Sequence, residues 1–255
     1  MNGLRETARV DFLGLPLLRL TTKEFIDSLV RVAAAPMSDA PVFVTYINAW
    51  CTVLAQKDED YRQLLKRADG VYADGQAIVW ASELLRSPVP ERVNAADFIV
   101  EFCSRAAEAG VSLFLLGSQP AVAESASTHW KTHVPGVHIA GSEAGYFSDG
   151  GEAALVRIGD TRPDVLLVGL GVPLQEKWVA ANLHRIPCKV VWCIGAMFEY
   201  HGKARARAPV WMRRAGLEWL FRLMLEPKRL GRRYLLGNLQ FIYLVMRARL
   251  FRLSL

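Results

Sequence analysis

Cysteine is scarce in this chain. Four residues, Cys51, Cys103, Cys188 and Cys193, are spread over 255 positions, which excludes a disulfide scaffold and a zinc knuckle built on paired cysteines. Long apolar runs are missing too: none approaches the ~18 residues that a membrane-spanning helix requires. A secretory leader is not expected, because Asp11 and Arg19 interrupt the apolar start of the chain. A reduced, cytoplasmic protein is the expectation. Of five histidines, only His129 and His133 fall at helical i,i+4 spacing, and no acidic residue or cysteine completes a metal set with them. No Asp-x-Asp pair is read as a holder for a divalent ion on a diphosphate, so no metal is expected. The dinucleotide fingerprint is broken: Gly169-Leu-Gly171 has Leu174 where a third glycine would stand, and it follows a late strand. No cofactor is therefore expected.

Acidic residues almost vanish at the C-terminal end. Residues 201–255 hold 13 Lys or Arg against two acids, Glu218 and Glu226, a net charge of +11. The whole chain carries only +6, so the remainder is slightly acidic. A basic segment on a nearly neutral body points to an anionic partner, whether nucleic acid, membrane surface or phosphorylated ligand. Its cations are mostly arginine, which binds phosphate oxygens in a bidentate manner. Interleaved aromatic residues and arginines around 234–246 suit a helix lying in a membrane interface.

With 52% hydrophobic and 22% charged residues, the chain can bury a full core. Short apolar runs at Val42–Ile47, Gly70–Ala73, Ser112–Gly117, Val137–Gly141, Val165–Gly169 and Val190–Ile194 read as strands. They are apolar throughout rather than alternating, as in parallel strands covered on both faces. Helical patterns lie between them: a helix opened by a Thr21/Glu24 capping box, then Ala49–Arg67, Ala77–Leu85, Ala95–Ala109, Ala121–His133, Gly151–Gly159 and Gln175–Arg185. The expected fold class is α/β, a Rossmann-like open parallel sheet of about six strands with flanking helices. From residue 208 strand-like runs stop, so the expected organisation is a body, residues 1–207, and a helical appendage of two or three helices, residues 208–255.

In such sheets ligands bind beyond the C-terminal strand ends. That rule selects Thr45 and Asn48, Asp74, Gly117 and Ser118, Gly169 to Glu176 with Gly171 and Gln175 between, and Gly195 with Glu199. Asp74 follows its strand whereas Asp69 precedes it, so only Asp74 is placed to act as a base on a substrate hydroxyl. An Asp-Gly turn ahead of a helix explains the same residues without function. The glycines around 169–171 allow backbone N–H groups to approach a phosphate.

Several motifs occur in order: Val44-Thr-Tyr-Ile-Asn48, Ala73-Asp-Gly-Gln-Ala77, Glu91-Arg-Val-Asn-Ala-Ala-Asp97, Leu116-Gly-Ser118, Gly145-Tyr-Phe147, Gly169-Leu-Gly-Val-Pro-Leu-Gln-Glu-Lys-Trp178, Ile194-Gly-Ala-Met-Phe198, Arg207-Ala-Pro-Val-Trp-Met212, Leu217-Glu-Trp-Leu-Phe-Arg222 and Glu226-Pro-Lys-Arg229. Together they resemble the WecG/TagA/CpsF family of bacterial glycosyltransferases over about residues 10–250. The resemblance implies inverting, metal-independent transfer of a sugar from a UDP-sugar to a polyprenyl-diphosphate-linked saccharide at the cytoplasmic face of the inner membrane, for cell-surface polysaccharide. It also implies Asp74 as base, with Thr45, Asn48, Arg92 and Gln175 in the pocket. Gly117, Ser118, Gly169, Gly171, Gly195 and Glu199 are expected around the donor, and Arg222, Arg229 and Arg232 on the lipid diphosphate. The anionic membrane surface is an expected partner, nucleic acid is not, and homo-oligomerisation is left open. Two other readings compete. A nucleic-acid-binding protein accounts for the basic segment but leaves Asp74 and Gln175 without a role. An NAD(P)-dependent oxidoreductase is opposed by the broken glycine fingerprint.

Overall fold

The computed structural model describes residues 3–251 except Asp39, Lys203 and Arg205. Those two cations and Arg252, all counted in the basic segment, lie outside the described residues. The chain opens with a hairpin, β1 (Arg9–Phe12) and β2 (Leu15–Leu18), turned at Leu13-Gly14 with both residues at positive φ. This hairpin was not among the strands expected from the sequence. Pro16 is tolerated in this two-stranded ribbon, where one side of each strand needs no partner.

Then follow α1 (Thr22–Ala34), β3 (Val42–Ile47), α2 (Ala49–Ala55), α3 (Glu59–Arg67), β4 (Gly70–Ala73), α4 (Gln76–Leu84), α5 (Ala95–Glu108), β5 (Ser112–Gly117), α6 (Pro120–His133), β6 (His138–Glu143), α7 (Glu152–Thr161), β7 (Val165–Gly169), α8 (Leu174–Asn182), β8 (Val190–Cys193) and α9 (Met197–His201). Side-chain caps set several of the helix starts. Thr21 and Glu24 form the expected capping box on α1, and Asn48, Asp58 and Asn94 cap α2, α3 and α5. The Asp58 cap corrects one expectation: Ala49–Arg67 is two helices, not one. Asp58-Glu59-Asp60 is also the Asp-x-Asp spacing that the sequence reading passed over. Here Asp58 accepts from the Tyr61 amide and pairs with Lys177 at 3.0 Å, so it is committed to local structure.

Strands β3 to β8 form one parallel sheet in the order β4-β3-β8-β7-β5-β6, as the apolar runs predict. Its centre is buried on both faces: Leu166, Leu167, Val190, Val191 and Trp192 have no exposed surface. Trp192 packs among Phe25, Phe98 and Phe102 and donates its indole N–H to the Tyr72 hydroxyl at 3.2 Å. At the N-terminal strand ends the acids are structural. Asp69 accepts the Phe43 amide and pairs with Arg5, and Asp164 accepts both the amide and the hydroxyl of Ser112. All four cysteines are buried and unpaired.

Beyond residue 207 the chain is helical: α10 (Val210–Arg214), α11 (Glu218–Leu225), α12 (Pro227–Gly231), a wider π turn at Arg232–Leu236, and α13 (Gly237–Phe251). Pro227 stands in the first turn of α12, so the chain breaks between Arg222 and Arg229. Helix α13 packs on α2, where Gly237 lets the backbone lie against Trp50, and it buries Phe241, Val245 and Ala248. Leu235, Leu239, Tyr243 and Leu250 remain exposed. No helix among the described residues is long and apolar enough to cross a membrane.

Candidate active site

The C-terminal ends of the sheet strands open into one cavity of about 830 Å³. Its floor is built from Tyr46 and Asn48 at the end of β3, Asp74 after β4, Ser118 after β5, Gly169 and Gly171 at the end of β7 and Gly195 after β8. Helices α11 to α13 close the other side, with Arg222, Arg229 and Arg233 in the wall. The floor depends on glycine. A Cβ on Gly169 would meet the Gly195 carbonyl at 2.8 Å, and one on Gly195, at φ +59°, would strike the Tyr46 hydroxyl.

Asp74 is held from two sides. Its amide donates to the Ile47 carbonyl at 2.8 Å, and Asn94 Nδ2 donates to its Oδ1 at 2.7 Å. Asn94 in turn accepts the Ala96 amide as cap of α5, so its amide group has one orientation. Burial raises the Asp74 carboxyl to about 6, and Glu218 pushes the same way. Arg92, Arg222 and the Asn94 hydrogen bond act against them. A carboxylate near neutrality with one oxygen fixed is suited to accept a proton on the other.

The expected site residues divide into two layers. Asp74, Asn48, Arg92, Ser118, Gly169, Gly171, Gly195, Glu199, Arg222 and Arg229 line the cavity. Thr45 and Gln175 do not. Both are fully buried beneath it, where Thr45 Oγ1 and Gln175 Nε2 each donate to Glu176 Oε1 at 2.8 Å. Gln175 Oε1 accepts the Gly195 amide at 3.1 Å, which ties α8 to the loop after β8. Glu176 is buried as well, and burial raises its carboxyl to about 7. Gly117, at φ +143°, is also outside the wall: a Cβ there would strike the Gly169 carbonyl, so it serves the close approach of β5 and β7.

One arginine differs from the expectation. Arg232 is exposed and outside the cavity wall, whereas Arg233, one residue on, lines it. The four-residue step from Arg229 to Arg233 keeps both on one helix face, and the π turn carries Arg233 inward against Trp50. The buried Nε of Arg233 makes no hydrogen bond among the described residues. Arg222 lies against the Tyr200 ring at 5.9 Å. Arg92 faces the cavity but also bridges the two parts of the chain, pairing with Asp97 at 2.5 Å and Glu218 at 3.5 Å. Arg207 and Arg213 join Asp97 in the same cluster, which holds α11 over the sheet edge. No group of three or more His, Cys, Asp or Glu side chains among the described residues is placed to hold a metal ion.

A glycosyl transferase family model, that of the WecG/TagA/CpsF family, matches residues 10–254. The chain belongs to this family. A similar protein from Staphylococcus aureus (strain MRSA252) is named N-acetylglucosaminyldiphosphoundecaprenol N-acetyl-beta-D-mannosaminyltransferase. It is 29% identical over 226 residues, covering 89% of this chain and 88% of the relative. Its counterpart in strain NCTC 8325 / PS 47 is 28% identical over the same length and shares. This membership fits the glycosyltransferase reading of the sequence rather than the nucleic-acid-binding or oxidoreductase one.

Two residues of the candidate site, Asn94 and Arg233, were not singled out in the sequence, and a third, Glu176, had no role there. Asn94 stood inside a quoted motif, and its pattern as a helix cap was legible, but its second bond to Asp74 crosses from one strand end to another helix. Arg233 was hidden by the π turn, which no local signal announces. Glu176 was expected on the strand-end rim beside Gln175 but without a role; the structure buries it beneath the cavity, where it accepts from Thr45 and Gln175.

Proposed function

We propose that the protein is an inverting glycosyltransferase moving an N-acetylhexosaminyl group from a UDP-sugar to a saccharide linked to polyprenyl diphosphate. UDP-N-acetylmannosamine, with an N-acetylglucosaminyl-diphosphate lipid as acceptor, is the first pair to test, from the names of the relatives. The observation that carries the reading is Asp74, a carboxyl at about 6, sharing a cavity with Arg222, Arg229 and Arg233. In the reaction the acceptor hydroxyl gives its proton to Asp74. Its oxygen bonds to the anomeric carbon from the face opposite the leaving group, and the bond from that carbon to UDP breaks with its electron pair on the diphosphate. The arginines and the backbone N–H groups around Gly169–Gly171 offset the charge that develops there. Asn48 and Arg92 complete the wall, and Ser118, Gly195 and Glu199 border the donor. Thr45 and Gln175 act from below, by fixing Glu176 and the Gly195 loop.

Residues 208–255 form an appendage with two roles in this proposal. It supplies the site arginines, and it rests on the cytoplasmic face of the inner membrane through Leu235, Leu239, Tyr243 and Leu250, with Arg232, Arg247 and Arg249 near lipid headgroups. Each basic residue near such a surface contributes about 1 kcal/mol, less as salt rises. The test is a panel of UDP-sugars offered with a short-chain N-acetylglucosaminyl-diphosphate lipid, beside sedimentation with anionic vesicles at two salt concentrations. Transfer from at least one donor and salt-sensitive sedimentation are expected. No transfer from any donor overturns the catalytic reading, and no sedimentation overturns the membrane role.

A further inference from the structure

The cavity has a second half that the transfer reaction does not use. Away from Asp74 its two walls are helices, α4 and α13, and both turn apolar side chains into it. Trp80 and Leu84 stand one turn apart on α4. Ile242, Val245 and Met246 stand at i, i+3 and i+4 on α13. Most of these are unburied: Trp80 is 55% exposed, Leu84 43%, Ile242 55% and Met246 43%. Large apolar side chains that line one cavity and remain exposed present surface that a ligand would remove from water.

Charge and apolarity are graded along one wall. Arg229 and Arg233 begin the helical run and Ile242 and Met246 continue it, so about 20 Å of helix passes from cationic to apolar between Arg233 and Met246. A ligand that fits this gradient has a diphosphate at one end and a hydrocarbon chain at the other. A free sugar diphosphate has no apolar part to cover the Trp80–Met246 half. We propose that the cleft between α4 and α13 holds the isoprenoid chain of the acceptor where it leaves the diphosphate. The proposal rests on the acceptor reading above. On α13, Ile242, Val245 and Met246 line the cavity, whereas Leu239, Tyr243 and Leu250 are exposed without lining it. The cleft sets the chain's path from the arginines toward the bilayer, and it makes the lipid part of what the enzyme recognises.

The experiment compares two ligands on the full chain, geranylgeranyl diphosphate below its micelle concentration and inorganic diphosphate, by calorimetric titration. Wild type is expected to bind the isoprenoid at least about tenfold more tightly, which is about 1.4 kcal/mol. Leu84→Gln with Met246→Gln, both at exposed positions, is expected to abolish that preference while leaving affinity for inorganic diphosphate unchanged. Ile242→Gln alone should reduce it. Equal affinity for both ligands in wild type, or full preference in the double variant, overturns the cleft. So does loss of binding to anionic vesicles lacking lipid diphosphate in the double variant, which would make these side chains a bilayer contact. A transfer arm keeps the two readings apart. With sugar-diphosphate acceptors with and without the isoprenoid, the double variant should raise KM about tenfold only for the tailed one. Absence of wild-type transfer to either acceptor overturns the acceptor reading, whereas transfer indifferent to the tail overturns the cleft alone.

Discussion

Replacing Asp74 by Asn should make the protein more stable and nearly inactive, and the stability gain should depend on pH. Burial raises this carboxyl from 3.8 to about 6. A group whose pKa is raised on folding stabilises the native state below its unfolded value, and that contribution is lost as pH rises through the folded value. At about 1.4 kcal/mol per pH unit, the gap is worth about 3 kcal/mol above pH 7. The value of about 6 already includes the attraction of Arg92 and Arg222, and because the carboxyl borders an open cavity, solvent screening brings the expected gain to about 1–2 kcal/mol. Asn keeps the oxygen that accepts from Asn94 and does not titrate. Melting curves of the two proteins should therefore nearly coincide at pH 4 and separate by about 3–6 °C at pH 8. Turnover should fall on the order of 10²-fold or more, the scale for a lost general base. Asp69→Asn is the control: Asp69 accepts the Phe43 amide and pairs with Arg5 at the other end of the strand, so it should alter stability and spare turnover. A separation that does not change between pH 4 and 8, or equal turnover losses from the two variants, would refute the assignment of Asp74 as a buried, raised base.

Other outcomes follow from the same geometry. Arg233→Gln should weaken transfer by about tenfold or more through a lost charge-assisted contact, whereas Arg232→Gln should leave turnover on a soluble acceptor nearly unchanged; steady-state kinetics of the pair decides between the two registers. Glu176→Gln keeps an oxygen for Thr45 and Gln175 and should melt near wild type at neutral pH. Glu176→Ala leaves both donors buried without a partner, at about 1–3 kcal/mol each, and should lower the melting temperature and the transfer rate together. Treatment with EDTA should leave transfer intact; loss of activity restored by Mg²⁺ or Mn²⁺ would show that the arginines do not suffice on the diphosphate.

The central sheet was legible because parallel strands buried on both faces leave uninterrupted apolar runs, and four of the six strands match their expected limits. The two others shift at their ends. One is the edge strand β6, whose residues are only partly buried and so carry a weaker apolar signal. The rule that ligands sit at C-terminal strand ends separated Asp74 from Asp69 without coordinates, and the cavity lies where it directs. It could not separate wall from floor. Thr45 lies near the end of its strand and Gln175 at the start of its helix, as pocket residues do, but their burial beneath the cavity goes with Glu176, a partner 131 residues from Thr45. The contribution of α13 was legible only as composition. That its inner residues are partly core, through Phe241 and Val245, and partly cavity wall, through Ile242 and Met246, depends on docking against α2.

The most direct test of the account is the product itself. Wild-type protein, a UDP-sugar turned over in the donor panel and a short-chain N-acetylglucosaminyl-diphosphate lipid are incubated together, and the lipid product is isolated for mass and NMR measurement of its new glycosidic bond. The account predicts one UDP released per disaccharide lipid formed, with the anomeric configuration inverted relative to the donor. Retention of configuration, or UDP release without a disaccharide product, would contradict direct attack by a hydroxyl that Asp74 deprotonates.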